Sequence, residues 1–356
     1  MKKFINQYFA TIKQFIPDQE QKSLVGLDIG VNSCKMIELQ PKGNSYQLIN
    51  WAIEPIVAGD QSKAVQAILR KCIVPTNAPM TAISGKGTLI RYVDITRMAL
   101  EDLKKSFAFE SDKYFPFPAD QIYTDCFVID PKVEGNKMSV IIAAAKKDLI
   151  DTRIKLLTGL GLQADFIGLD PIALANVFNV LKLNTKRDST EQTEVESKAV
   201  AVLDIGEVVS NLTILLGDIP RFTRDIFIGG LNFTKSISNA LGISFEEAEK
   251  LKCNPEKKLP EILEASETDV MNLVSELRLS FDYFVNERNI PISQLFLTGG
   301  VATAEGLIGL FAKNLDVQVK KWDPLETLDF AENVSKEEVL KNSEKLGVAL
   351  GLALYE

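Results

Sequence analysis

One pattern occurs twice in this chain. Residues 25–39 read VGLDIGVNSCKMIEL and residues 201–215 read AVLDIGEVVSNLTIL. The two align without a gap and share Leu-Asp-Ile-Gly and the closing Leu. Each copy starts as an apolar strand, turns at a glycine and resumes as a second strand. A repeat this widely spaced points to two related lobes, each opening with the same hairpin. The 356-residue length agrees, since single cores stop growing at about 250–300 residues.

Asp28 and Asp204 end the first strand of each copy, just before the turn glycine. A carboxylate at the end of an apolar strand is costly unless it faces a cleft, an ion or good donors. Gly30 and Gly206, two residues on, let the backbone turn and present N–H groups to an anion. One such hairpin reads most simply as an Asp capping a tight turn. Two copies in register read as a clamp on a polyphosphate, with Asp28 and Asp204 holding Mg²⁺ through its waters, because Mg²⁺ keeps several waters and takes few protein ligands. Lys35, seven residues after Asp28, can reach back from the second strand to a phosphate. A third element, Leu295–Val301, is an apolar strand that opens into Gly299-Gly300, and this brings bare backbone beside a ligand or simply starts a helix. Glu249 and Lys252 stand at i, i+3 on one helix face, a spacing that also suits a surface ion pair.

The stretches between these elements set the domain organisation. Residues 1–22 form an N-terminal segment in which Phe4, Ile5, Tyr8, Phe9, Ile12, Phe15 and Ile16 recur at helical spacing up to Pro17. An amphipathic helix over residues 2–16 suits contact with a membrane surface, and equally docking on a protein. Residues 23–87 and 166–183 compose the first lobe. Residues 88–165 read as a β-α-β-β-α insert whose helix Ala99–Tyr114 is stopped by Phe115-Pro116-Phe117-Pro118. Phe107 reads as insert core, and Tyr114, Phe115 and Phe117 as a partner-binding surface, since a Pro-punctuated run cannot bury every ring. Residues 184–198 are polar and read as a linker. Residues 199–356 compose the second lobe, with a helical subdomain at 232–293 and a Gly- and Ala-rich C-terminal helix suited to close packing.

Composition removes several kinds of chemistry. The chain has no histidine, which excludes His-zinc sites, Ser-His-Asp triads and Cys-His nucleophiles. Forty basic residues against 48 acidic ones give a net charge of -8, the wrong sign for a nucleic-acid partner. Cys34, Cys72, Cys126 and Cys253 are widely spaced and read as free thiols of a reducing cytoplasm. No run of 18 apolar residues is present, so no transmembrane helix is expected.

The paired Asp-x-Gly hairpins, the late Gly-Gly and the small-residue C-terminal helix resemble the actin, Hsp70 and sugar-kinase ATPase superfamily. Within it the chain resembles the PilM family of type IV pilus assembly proteins, over roughly residues 23–354. The most specific stretch is MALEDLKKSFAFESDKYFPFPADQIYTD, residues 98–125, with its helix ending in Tyr-Phe-Pro-Phe-Pro; AVLDIGEVVSNLTIL, RDIFIGGLNFTKSI and LFLTGGVATAEGL follow in family order.

The resemblance implies an α/β, actin-like (ribonuclease H-like) two-lobed ATPase fold with an inserted subdomain like that of FtsA. It implies ATP and Mg²⁺ as cofactors. By resemblance Asp28, Gly30, Asn32, Ser33 and Lys35 match the first phosphate loop, and Asp204, Gly206 and Glu207 the second. Gly299 and Gly300 match the nucleoside loop, and Glu249 and Lys252 the adenine-side helix. Asp170, in Leu169-Asp170-Pro171, falls where the superfamily places the residue that positions the attacking water, although Asp before Pro is also a good helix N-cap. The implied partner is the N-terminal cytoplasmic tail of a PilN-like inner-membrane protein, held near the insert, with the chain cytoplasmic and peripheral to the inner membrane. Other readings of the same superfamily are an FtsA-like filament protein, a sugar or acetate kinase, and the cytoplasmic actin-like domain of type II secretion.

Overall fold

The computed structural model describes residues 23–355 apart from 44, 134, 182, 184–198, 256 and 305. The N-terminal segment 1–22 and the linker 184–198 therefore lie outside the described residues. The first hairpin is β1 (Leu24–Ile29) and β2 (Ser33–Lys42), followed by β3 (Ser45–Pro55), α1 (Gln61–Leu69) and β4 (Met80–Ile83). Alternation sends Val25, Leu27 and Ile29 of β1 to one face of the sheet, where they meet Cys34, Met36 and the buried Ala64, Val65 and Ile68 of α1. Asp60 caps α1, its carboxylate accepting the Lys63 amide at 3.1 Å.

The insert runs β5 (Thr88–Thr96), α2 (Leu100–Phe109), β6 (Ile122–Val133), β7 (Lys137–Lys146) and α3 (Lys147–Gly159). Its three strands make a separate antiparallel sheet of order β5-β7-β6. Leu103 and Phe107, one turn apart on α2, bury against Phe115, Ile122, Met138, Val140 and Ile142. The α-helix is shorter than the sequence suggests: it ends at Phe109, and a 3-10 turn over Ser111–Lys113 replaces its last turn. The chain then returns through β8 (Ile167–Leu169) to α4 (Asp170–Leu181).

The second sheet contains β9 (Ala199–Ile205), β10 (Ser210–Leu216) and β11 (Ile219–Ile226). It is followed by α5 (Gly230–Leu241), α6 (Phe245–Cys253) and the 30-residue α7 (Leu259–Arg288). Then come β12 (Ile292–Thr298), α8 (Leu307–Asn314) and β13 (Gln318–Lys321), giving the order β11-β10-β9-β12-β13. The last elements are β14 (Asp329–Phe330), α9 (Lys336–Leu340) and α10 (Gly347–Ala353).

These last elements correct the expected second lobe at 199–356. β14 pairs with β3 and completes the first sheet, of order β14-β3-β2-β1-β4-β8. α10 packs on β1 and α4, on the face of the first sheet opposite α1. The physical reason is the small-residue run GVALGLA, all of it buried, which lets a helix lie directly on a strand that carries Gly26. The four cysteines are unpaired thiols.

One buried charge fixes the first sheet to a loop. Glu38 on β2 is fully buried, and its two oxygens accept the amides of Val74 and Ile73 at 2.8 Å each, with Asn50 Nδ2 at 3.3 Å. Glu38→Leu should lower unfolding stability by about 2 kcal/mol in chemical denaturation, because it strands these donors. Glu38→Gln, which keeps one acceptor, should lose less; equal losses would show that the acceptor does not matter.

Candidate functional site

The β1–β2 register sets Asp28 opposite Lys35, and their side chains pair at 3.0 Å. The β9–β10 register sets Asp204 opposite Asn211, seven residues on in each case. The turns match as well: Gly30 N donates to Ser33 O and Gly206 N to Val209 O, both at 3.1 Å. The repeat is therefore structural, with Lys35 in the first copy replaced by neutral Asn211 in the second. The glycine amides themselves are spent inside the turns. At the first tip the amides of Val31 and Asn32 donate to no backbone carbonyl among the described residues.

The two hairpins face each other, and their carboxylates feel one another. Asp204 is pushed up to about 6 by burial and then by the charge of Asp28, against the opposing pull of Lys35 and a hydrogen bond from Asn211. Asp170 opens α4 and faces the same space. Burial, then Asp28, push it up to about 7, while a Ser84 hydrogen bond and the Arg153 guanidinium pull the other way. The Asp-Pro pair thus starts a helix and also aims a carboxyl at the two hairpins.

Arg153 was not apparent in the sequence. It reaches from α3 to donate to Thr81 Oγ1 at 3.0 Å and Ile29 O at 3.3 Å, beneath the first hairpin. Burial lowers its pKa, and Asp170 and Asp28 raise it. It is the second cation of the site, after Lys35.

On the other side, Gly299 has φ +92, and a Cβ there would lie 2.4 Å from Asp204 Oδ1, so only glycine lets this loop approach the second hairpin. Glu344 O holds the loop by accepting Thr298 Oγ1 and Gly299 N, both at 2.8 Å. Gly300 borders open space.

Lys252 is nearly fully buried, and its ammonium lies 2.7 Å from Glu249, 2.9 Å from Thr234 Oγ1, 3.2 Å from Gly230 O and 3.9 Å from Glu207. It braces α6 to the first turn of α5 and to the tip of the second hairpin. Gly230 N also donates to Gly206 O at 2.8 Å, so the Gly229-Gly230 pair locks α5 to that tip. The sequence reading of the site omitted Gly229, Gly230 and Thr234; the Gly-Gly spelling was the available signal.

The expected partner surface is only partly outward. Phe115 is 3% exposed and belongs to the insert's own core, which corrects its placement on a surface. Tyr114 is half-buried with its ring edge-on to Phe107, centroids 5.1 Å apart. Phe117 lines a cleft of about 450 Å³ that also takes residues from 85–91, Leu169, Pro171 and β11.

Among the described residues, no cluster of three Asp, Glu, Cys or His side chains is placed to hold a metal directly, and no helix is long and apolar enough to cross a membrane.

Two sheets that each open with an Asp-x-Gly hairpin, facing across a cleft with a glycine loop beside the second, define the actin-like ATPase fold. The family model described as type IV pilus assembly protein PilM matches residues 26–356. The chain belongs to that family and is an actin-like protein of type IV pilus assembly. A solved PilM-PilN type IV pilus biogenesis complex matches with a TM-score of 0.81 and 24% identity, covering 94% of this chain and 98% of that one. The ethanolamine utilization protein EutJ from Carboxydothermus hydrogenoformans matches with a TM-score of 0.51 and 15% identity, covering 94% and 90%.

Proposed function

We propose that this chain binds ATP with Mg²⁺ between the two hairpins and, in the groove beside the insert, the N-terminal cytoplasmic tail of a PilN-like inner-membrane protein. The observation that carries the nucleotide reading is the pair of equivalent hairpins whose carboxylates meet across one cleft. Asp28 and Asp204 would hold the ion through its waters, Lys35 and the tip amides the phosphates, and the Gly299-Gly300 loop the nucleoside side. The ion, when bound, neutralises phosphate charge. Asp170, hydrogen-bonded by Ser84, is positioned to orient a water toward the phosphate end. Glu207 and Glu249, bridged by Lys252, supply acceptors for hydroxyl groups of the nucleoside.

The partner reading is supported by membership of the family and by the cleft between the insert and the lobes. The tail would hold the chain at the inner face of the inner membrane. A synthetic tail peptide should bind at micromolar strength or better, about -8 kcal/mol. Phe117→Ala should weaken that binding at least fivefold in calorimetry and leave nucleotide affinity unchanged, because the ring lines the cleft and packs against the insert's own core. Equal affinity in parent and variant would move the tail to another surface.

A further inference from the structure

The two hairpins are held differently on their open side. β12 runs parallel to β9 and pairs with it as far as Asp204. The Gly299 loop continues past that point, so close that a Cβ at Gly299 would lie 2.6 Å from Ile205 O. β4 runs parallel to β1 in the matching place, but pairs with it only as far as Leu27. Asp28 and Ile29 therefore lie beyond that pairing. The group that meets Ile29 there is a side chain from the insert: Arg153 Nη2 donates to Ile29 O at 3.3 Å, and Nη1 donates to Thr81 Oγ1, on β4, at 3.0 Å.

A guanidinium is a rigid planar fork, so acceptors on its two terminal nitrogens are fixed relative to each other. Here one acceptor is the carbonyl that ends β1, and the other is the hydroxyl of the fully buried Thr81. The Ile29–Gly30 peptide is thus held at both ends, its oxygen by Arg153 and its N–H by Ser33 O at 3.1 Å. The helix that carries Arg153 is set in turn by the way the insert joins the first lobe. The chain leaves for the insert through residues 84–88 and returns through Lys146 into α3. These two crossings are tied: Lys146 N donates to Gly87 O at 2.8 Å, and a Cβ at Gly87, φ +106, would lie 2.9 Å from Leu149 Cδ1 of α3. The outgoing crossing reaches the same cleft, since Ser84 hydrogen-bonds Asp170. Both connections of the insert therefore end on groups of the candidate site, Ser84 on Asp170 and Arg153 on the first hairpin.

We propose that Arg153 is the positioning residue of the first hairpin, through which the insert sets the backbone of that hairpin for phosphate. Arg153 touches no ligand in this assignment; it acts through the Ile29–Gly30 peptide. The choice of phosphate as ligand rests on the nucleotide reading, whereas the positioning rests on the two hydrogen bonds, so each can fail without the other.

Amide hydrogen exchange of the unliganded full chain reads the hairpin directly. In Arg153→Met the segment 28–36 should exchange at least tenfold faster than in the parent, with the second hairpin, 204–212, unchanged. Arg153→Lys keeps the charge but cannot span both acceptors. It should exchange about threefold faster than the parent at 28–36, and it covers the case in which Arg153→Met does not fold. Calorimetry with Mg²⁺ and a non-hydrolysable ATP analogue should show binding at least tenfold weaker in Arg153→Met, with Arg153→Lys in between. Parental exchange at 28–36 in whichever variant folds overturns the proposal. So does faster exchange of both hairpins alike, which is a general loosening, and so does faster exchange at 28–36 with parental affinity for the analogue. If the parent itself binds no nucleotide, the nucleotide reading fails, and the exchange of 28–36 against 204–212 alone decides whether Arg153 positions the hairpin.

Discussion

Asp204→Asn should abolish measurable Mg²⁺-dependent nucleotide binding while leaving the unliganded protein as stable as the parent or more stable. The two halves of that result have one cause. Asp204 is pushed up to about 6, from an ordinary value of 3.8, by burial and by the facing Asp28, so its ionised form is a cost to the folded chain. Asparagine keeps the shape and removes the charge. It therefore relieves the cost and at the same time removes a carboxylate that would hold the ion, the exchange of stability for function common at binding sites. Binding should weaken at least a hundredfold, about 2.7 kcal/mol, with a non-hydrolysable ATP analogue in calorimetry. The Mg²⁺ dependence, read by repeating the titration in chelator, should vanish with it.

The pH dependence follows with opposite signs for the two quantities. Asp170 at about 7 and Asp204 at about 6 bind more protons in the folded chain than in the unfolded one between about pH 4 and 7. The contribution of this pair to unliganded stability therefore falls as pH rises through that window. Ion binding needs the carboxylates charged, so the affinity for Mg²⁺·nucleotide should rise over the same window. In Asp204→Asn the stability slope should flatten. A variant that binds nucleotide as the parent does would place the ion elsewhere.

What the sequence made legible was local. The hairpins could be read because strand alternation, a terminal Asp and a turn glycine are all within a few residues of one another, and because the pattern recurs. Even the asymmetry between Lys35 and Asn211 was present in the register, seven residues after each Asp. Arg153 was not legible: it sits some 120 residues from Ile29, and only the return of α3 beneath the first hairpin joins them. β14 was missed since two residues, Asp329 and Phe330, carry no periodicity, and with it the return of the C-terminus to the first sheet. Phe115 misled because a proline on its far side suggests an outward turn, whereas the ring folds back over Leu103 and Phe107. The Lys252–Glu249 spacing was readable, but not that the ammonium is buried among Gly230, Thr234 and Glu207, which depends on α5 folding back on the second hairpin.

Gly351→Leu should be the most destabilising single substitution in the first lobe, at about 4 kcal/mol or more, a size reached only through a specific mechanism such as overpacking of a core. A Cβ at Gly351 would lie 1.8 Å from Ala173 O and 2.4 Å from its carbonyl carbon, and one at Gly26 would lie 1.9 Å from Ala349 O. These neighbours are backbone, so no rotamer change can relieve the overlap. α10 would have to lift away from α4, and with it from β1, whose far end carries Asp28. The substitution should therefore also weaken nucleotide binding, although Gly351 itself would not touch the ligand. Gly309 is the control: it lies exposed inside α8 with nothing within 4 Å of its Cβ position, so Gly309→Ala should stabilise by about 0.5–1 kcal/mol through helix propensity. Chemical denaturation of both variants separates backbone contact from the general effect of removing a helical glycine. If Gly351→Leu falls within 1 kcal/mol of the parent, α10 does not lie on α4 as closely as the Ala173 carbonyl requires, and the small-residue helix has some other purpose.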